Sequence, residues 1–232
     1  AADAANLGKT RFLAAAGHDI LQPLNAARLY AAALEERSLG GQETEIAANI
    51  GSSLEAVEAI IGAVLDISRL EAGGMQAKIE DFPLDRLLRQ IETDMKPLAD
   101  EKAIALRFVR TGVSVRSDRN LLRRLIQNLV SNAIKYTRAG KVVVGVRHRT
   151  GGRIDVEIAD SGIGIPADKL EAIYHEFVRL DEGSRTARGL GLGLSIVDRI
   201  ARVLDHPIEA TSEHGRGTRF RVTLPVADVT PV

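Results

Sequence analysis

The chain has no cysteine in its 232 residues, which excludes disulfides and thiolate metal sites and fits a reducing compartment. It also has no excess of charge of either sign. Its 31 basic residues balance 31 acidic ones, so no global field draws it towards nucleic acid or an anionic membrane. Any anion it binds must be held by a local arrangement. Long hydrophobic runs are missing too: the apolar stretches are alanine-rich and are interrupted by charge or glycine well short of the ~20 residues of a bilayer crossing. The first residues lack the charged start, apolar stretch and cleavage site of a secretory signal. The expectation is a cytoplasmic location, with no nucleic-acid partner and no membrane contact from this stretch. An opening on AADAANLGKT, already helical in composition, reads as a piece of something longer, which could carry a membrane anchor elsewhere. No internal repeat or low-complexity tract is present.

The length suggests two modest domains, at roughly 100 to 200 residues each. The first is expected over residues 1–75. From about Asn6 to Arg37, apolar or small residues fall at Leu13, Gly17, Ile20, Leu24, Ala27, Ala31 and Leu34, the alternating spacing of a coiled-coil seam. After a break expected at Ser38, Gly40 and Gly41, the same spacing returns at Ile46, Ile50, Ser53, Val57, Ile60, Val64 and Ile67. The second helix adds Leu54, Ile61 and Leu65, a wider apolar face than one partner helix can cover. Two chains pairing their hairpins into a four-helix bundle would cover it, so a homodimer is expected.

Gly73 and Gly74 end the hairpin, and residues 76–232 read as a second domain. A helix is expected over Leu84 to about Glu101, a strand over Ile104 to Val109, and a helix capped by Ser117 or Asp118 that runs to about Lys135. Lys141 to Arg147 and Ile154 to Ala159 read as strands joined by a turn at Thr150, Gly151 and Gly152. In the second strand, Ile154, Val156 and Ile158 alternate with Asp155 and Glu157, as in a sheet with one covered face. A helix from about Leu192 to Leu204 and a strand over Arg219 to Leu224 complete an α+β sandwich with helices on one side of a sheet.

Three constellations carry chemistry. Asn128 and Asn132 lie one helical turn apart, with Lys135 and Tyr136 following on the same side. Amide oxygens suit Mg²⁺, which also takes phosphate oxygens, and Lys135 could meet phosphate; a solvated polar face is the plain alternative. In DSGIGIP, the Asp160 carboxylate could accept from an exocyclic amine, while Gly162 and Gly164 let backbone approach a flat ring; the segment could also be just a turn. RGLGLGLS puts Gly189, Gly191 and Gly193 before a helix whose first N–H groups favour phosphate, or in a flexible loop.

In this order, with EFVRL before the glycines and GRGTRF after them, the segments resemble the N, G1, F and G2 boxes and the final GT motif of the histidine kinase ATPase domain. The resemblance runs from about Asp81 to Pro225, over a fold shared with the Hsp90, gyrase and MutL ATPases. It implies ATP and Mg²⁺ as cofactors. Asn132 would coordinate Mg²⁺ with Asn128 in support, Lys135 would touch phosphate, and Tyr136 would line the pocket. Asp160 would read the adenine amine in a pocket shaped by Gly162 and Gly164. Gly189, Gly191 and Gly193 would border the phosphates and Thr218 would lie near the base. Phe177 and the segment Asp181 to Arg188, with Arg188 counted in the nucleotide site, look like a lid.

The first hairpin contains GHDILQPLN, which resembles the H-box of the same family, and LDISRLEAGG resembles the end of that family's second helix. His18 falls beside the apolar seam and should be exposed. Asp19 can accept a proton from the imidazole and improve the opposite nitrogen as a nucleophile. Pro23 removes the N–H that would bond the Asp19 carbonyl, which loosens the helix at that turn. Gln22, where threonine or asparagine is commoner, lies one turn from His18. Its amide could orient a water in a phosphatase reaction. The other histidines are expected to carry no chemistry, with His148 near a strand end, His175 before the lid, and His206 and His214 in loops or turns, and no zinc site is expected.

The fold expected is thus an antiparallel helical hairpin forming a dimeric four-helix bundle, followed by a Bergerat-type ATP-binding α/β sandwich. The function implied by the resemblance is a sensor histidine kinase core of a two-component system. It would autophosphorylate His18 and pass the phosphoryl group to a response-regulator receiver domain, in trans or fused as in hybrid kinases. An ATPase that drives a conformational cycle, or a non-catalytic dimeric scaffold, are the alternatives. The H-box argues against the first, and the presence of Asn132, Asp160 and the glycines argues against the second.

Overall fold

The structure is a computed structural model that describes residues 77–174 and 193–227, together with scattered positions between residues 24 and 61. The chain divides into two compact units, Ala1–Met75 and Gln76–Val232.

In the first unit every described position is helical, including Gly41, which the sequence reading assigns to the break between helices. A Cβ at Gly41 would meet nothing within 4 Å, so this exposed glycine pays only its modest propensity penalty for being helical. Ser38 and Gly40 lie outside the described residues. Ala31 and Ala47 are buried, whereas Leu34, Ile46, Ile50 and Val57 of the seam remain exposed. Ile46, Ile50, Leu54 and Val57, with Asn49 and Ser53, line a largely apolar groove of about 360 Å³.

The described residues of the second unit form two sheets. Strands β1 (Glu80–Pro83) and β3 (Ser114–Ser117) form an antiparallel pair. The main sheet comprises β2 (Ile104–Phe108), β4 (Gly140–Arg149), β5 (Arg153–Asp160), β6 (Ile208–Glu213) and β7 (Gly217–Pro225), in the order β2-β4-β5-β7-β6. Among the described strands of this sheet, the β2–β4 pairing is parallel and the others are antiparallel. Helices α1 (Leu84–Glu101), α2 (Arg119–Tyr136) and α3 (Gly193–Leu204) pack with one another through α2, which also meets β4 and β5.

Helix α2 is the axis of this unit. Its Leu122, Leu125, Ile126, Leu129 and Ile134 are fully buried, as are Val142, Val144, Ile154, Val156 and Ile158 of the sheet beneath. Each such aliphatic side chain contributes about 1.5–3 kcal/mol on burial, so the helix cannot turn about its axis without losing several of these contacts. Both ends are fixed as well. Asp118 caps the start by accepting from the N–H groups of Asn120 and Leu121. At the end, Lys102 Nζ donates to the carbonyls of Ile134 and Lys135, and the Thr137 hydroxyl donates to Ala133 O.

The structure amends the sequence reading in several places. Of the two candidate caps only Asp118 acts. Ser117 ends β3, and its hydroxyl shares a 2.8 Å hydrogen bond with His206 Nε2, both side chains being buried. His206 lies in the loop after α3, as expected, with its ring packed inside the unit. Three of the strands are absent from the sequence reading: β1 and β3 are only four residues long, and β6 has one large apolar residue, Ile208, at its half-buried positions, the other two being Ala210 and Ser212. In β5 the expected outward-facing Asp155 is buried, held by Arg149 and by the Thr223 hydroxyl on the neighbouring strands.

Candidate functional site

Two clusters of the residues singled out by sequence are described. The first lies between α2 and the start of α3. A Cβ added at Gly193 would come within 3.3 Å of Asn132 Nδ2, 3.5 Å of Asn132 Oδ1 and 3.6 Å of Asn128 Oδ1. The two asparagine amides thus converge on the first residue of α3, at a helix end whose first N–H groups favour an anion. Asn128 is oriented by the bond from its Nδ2 to Arg124 O at 2.9 Å, which leaves its oxygen on the Gly193 side. One turn further on, Lys135 Nζ lies 5.3 Å from the centre of the Tyr136 ring.

The second cluster joins the end of β5 to the start of β7. Asp160 Oδ1 accepts from the N–H of Gly162 at 2.8 Å and from the N–H of Thr218 at 3.2 Å. Among the described residues both bonds fall on Oδ1. Burial pushes the Asp160 carboxyl above the usual carboxylate range, with the Gly162 and Thr218 N–H groups opposing the shift. The surrounding backbone leaves no room for side chains. A Cβ at Gly162 would stand 2.5 Å from Tyr136 O and 2.9 Å from Asp160 Oδ1.

Gly164 (φ 69°) and Gly217 (φ 108°) occupy the left-handed region, and a Cβ there would overlap the carbonyl oxygens of Glu213 and Asp160 respectively. Ser212 Oγ knits the cluster together: it accepts from Ile165 N, donates to Gly217 O and lies 2.9 Å from Thr218 Oγ1. The Tyr136 carbonyl accepts from Ile163 N at 3.2 Å, which connects α2 to this turn.

The structure thus gathers Asn128, Asn132 and Gly193 into one cluster and Asp160, Gly162 and Thr218 into another, with Tyr136 joined by its carbonyl to the turn at Ile163. Gly217 and Ser212 were not singled out by sequence. The glycine was legible only as part of GRGT, and nothing in the sequence marks Ser212. His18, Asp19, Gln22, Phe177, Arg188, Gly189 and Gly191 lie outside the described residues. Among the described residues, the side-chain oxygens nearest a Cβ on Gly193 are those of the two asparagine amides. No helix among the described residues is long and apolar enough to cross a membrane.

Residues 117–228 match the family model described as histidine kinase-, DNA gyrase B- and HSP90-like ATPase, and residues 8–73 match the His kinase A (phospho-acceptor) domain. An autoinducer 2 sensor kinase/phosphatase LuxQ of Vibrio cholerae is 32% identical over 225 residues, covering 94% of this chain and 26% of that protein. The sensor histidine kinase AruS of Pseudomonas aeruginosa is 35% identical over 236 residues, covering 97% of this chain and 23% of that protein. The chain therefore spans about a quarter of the length of these relatives. Among solved structures, full-length ShkA in complex with AMPPNP superposes with a TM-score of 0.78 at 29% identity, covering 94% of this chain and 46% of that one. With both domain models matched in order, the chain belongs to the histidine kinase family, as its phospho-acceptor and ATP-binding core.

Proposed function

We propose that this chain catalyses ATP-dependent phosphorylation of its own His18 and passes the phosphoryl group to an aspartate of a response-regulator receiver domain. The observation that carries the reading is the cradle of the second unit: a buried carboxylate held by two backbone N–H groups between glycines that admit no side chain, joined through Tyr136 to the helix that carries the asparagine pair. Asp160 Oδ2 is the acceptor for the adenine amine, because Oδ1 is already engaged. Asn128 and Asn132 supply hard oxygens to Mg²⁺, and the first N–H groups of α3, with Lys135, hold phosphate oxygens.

ATP supplies an activated phosphoryl group, and the remaining chemistry is positioning and charge neutralisation. The His18 imidazole attacks as the nucleophile, and Asp19 takes the proton from the opposite nitrogen and keeps the ring in the productive tautomer. Gln22, one turn away, orients a water that attacks the aspartyl phosphate of the receiver domain and releases inorganic phosphate, a phosphatase activity named in the LuxQ relative. The exposed apolar seam around Ile46, Ile50 and Val57 supports a homodimer formed through the hairpins. A cytoplasmic site of action agrees with these partners.

Incubation with γ-labelled ATP and Mg²⁺ tests the reading. Wild type is expected to acquire an acid-labile, alkali-stable label, and His18→Gln to bind ATP normally while taking up none. Equal labelling of the two proteins would remove His18 as the acceptor.

A further inference from the structure

The carboxylate of Asp118 serves two segments at once. Its Oδ1 caps α2 through the N–H groups of Asn120 at 2.9 Å and Leu121 at 3.0 Å. Its Oδ2 accepts from the backbone N–H of Lys78 at 2.8 Å, forty residues away in the chain. The side chain is 8% exposed, so water competes little for either oxygen.

Lys78 lies just inside the second unit, whose boundary falls between Met75 and Gln76. From there the chain runs directly into β1, which pairs with β3 in a register that sets Glu80 opposite Ser117, the residue before Asp118. The segment arriving from the phospho-acceptor unit is therefore fastened to the first turn of α2, and α2 is the helix that carries Asn128, Asn132, Lys135 and Tyr136. The preceding residue, Ser117, bonds His206 just beyond the end of α3, so two consecutive residues tie down both helices that border Gly193.

A helix cap needs only one acceptor, and asparagine or serine would serve as well as aspartate. The second oxygen, spent on Lys78, is surplus to capping. Its effect is to make the position of the entering segment and the position of α2 interdependent.

We infer that Asp118 is a positioning residue that couples the segment entering the ATP-binding unit to the helix of the nucleotide site. Nucleotide binding and the placement of that segment then share a free energy that runs through the Asp118 to Lys78 bond, and the coupling acts equally in both directions. The inference rests on the proposed nucleotide site and is tested so that the two can fail separately.

The test uses the full chain as wild type, Asp118→Asn and Asp118→Ser. Both variants keep a capping oxygen. Asparagine turns the second oxygen into an amide donor facing the Lys78 N–H, and serine is too short to reach it. Hydrogen exchange is followed over residues 76–80 with and without AMPPNP, alongside AMPPNP affinity and the rate of His18 phosphorylation at saturating ATP. Wild type is expected to gain protection over residues 76–80 when nucleotide binds, and the two variants to lose that response. Because the coupling is reciprocal, AMPPNP affinity in both variants should fall about tenfold, the effect of losing one charge-assisted hydrogen bond, and the phosphorylation rate at saturating ATP should fall as well. An unchanged exchange response in both variants would overturn the coupling. So would an AMPPNP affinity unchanged from wild type in both variants, which would reduce Asp118 to a structural cap. A wild type that shows the exchange response but labels no histidine would overturn the kinase reading and leave the coupling standing.

Discussion

The two halves of the proposed nucleotide site are built from different materials. On the base side the walls are backbone: the carbonyl oxygens of Tyr136, Glu213 and Asp160 stand where the side chains of Gly162, Gly164 and Gly217 would be, and two of the three glycines have positive φ. On the phosphate side the contacts are between side chains and a helix end, at 3.3 to 3.6 Å from a hypothetical Cβ on Gly193. The first arrangement cannot adjust without moving strands β5 and β7. The second can adjust by rotating an amide. A rigid pocket suits a base whose shape stays constant through a phosphoryl transfer, and an adjustable one suits a phosphate chain whose geometry and charge change during it.

Substituting the glycines tests this contrast most severely. Gly217→Ala and Gly164→Ala should each cost at least about 3 kcal/mol, since strained backbone and a carbonyl overlap coincide. Thermal denaturation should occur roughly 6–12 °C lower for a protein of this size, with nucleotide binding lost. A melt within 2 °C or so of wild type would mean that the base side is as yielding as the other.

Asp160→Asn should separate structure from recognition. Asparagine retains an oxygen for the N–H groups of Gly162 and Thr218 and replaces the second oxygen with a donor. ATP affinity should fall tenfold to hundredfold, equivalent to about 1.5–3 kcal/mol, and the preference for ATP over GTP should disappear. Stability should hold or rise slightly at neutral pH, because burial disfavours the ionised carboxylate that the substitution removes. Isothermal titration with both nucleotides, next to a melting curve, checks all three outcomes.

The raised pKa of Asp160 leads to a pH dependence with opposite signs for binding and folding. Protonation sets in above the ordinary carboxylate range as the pH falls, and it removes the acceptor for the base amine, so affinity declines on mild acidification. The folded chain meanwhile holds this proton more tightly than the unfolded chain. This one group therefore favours folding increasingly as the pH falls through its folded value towards the ordinary one. Affinities measured from neutral pH downward should show an Asp160-dependent decline that the Asp160→Asn protein lacks. Parallel profiles for the two proteins would contradict it.

The mildest change is expected at Gly193→Ala. The nearest atom, Asn132 Nδ2 at 3.3 Å, belongs to a side chain that can give by a few tenths of an ångström, and alanine is the better helix former by about 1 kcal/mol. Stability should shift by no more than about 1 kcal/mol in either direction, with nucleotide affinity reduced only severalfold. Calorimetric melting and titration would show whether the phosphate side has that freedom.

Periodicity and caps made much of this protein legible in one dimension. Helix α1 was readable over Leu84–Glu101, and Pro83 stands just before it as its N-cap. Helix α2 was marked by Asp118, and β4 and β5 by alternation around a glycine turn. The asparagine pair, DSGIG and the glycines before α3 were visible as motifs because each depends on residue types that few other roles require.

Contacts distant in sequence were decided only by the tertiary structure. Strands β1 and β3 exist because they pair with each other, and β6 because β7 lies beside it. Four to six residues of weak alternation do not specify a strand by themselves. Gly217 is required because the carbonyl of Asp160, fifty-seven residues earlier, occupies the place of its side chain. His206 is a core residue because Ser117, eighty-nine positions away, meets its ring. The second oxygen of Asp118 found its partner in the same way. A local pattern records which backbone conformation and which face a residue prefers, but the partner that fills the remaining hydrogen bond, or the atom that forbids a methyl group, comes from another part of the chain and is set only when the sheet and helices close on one another.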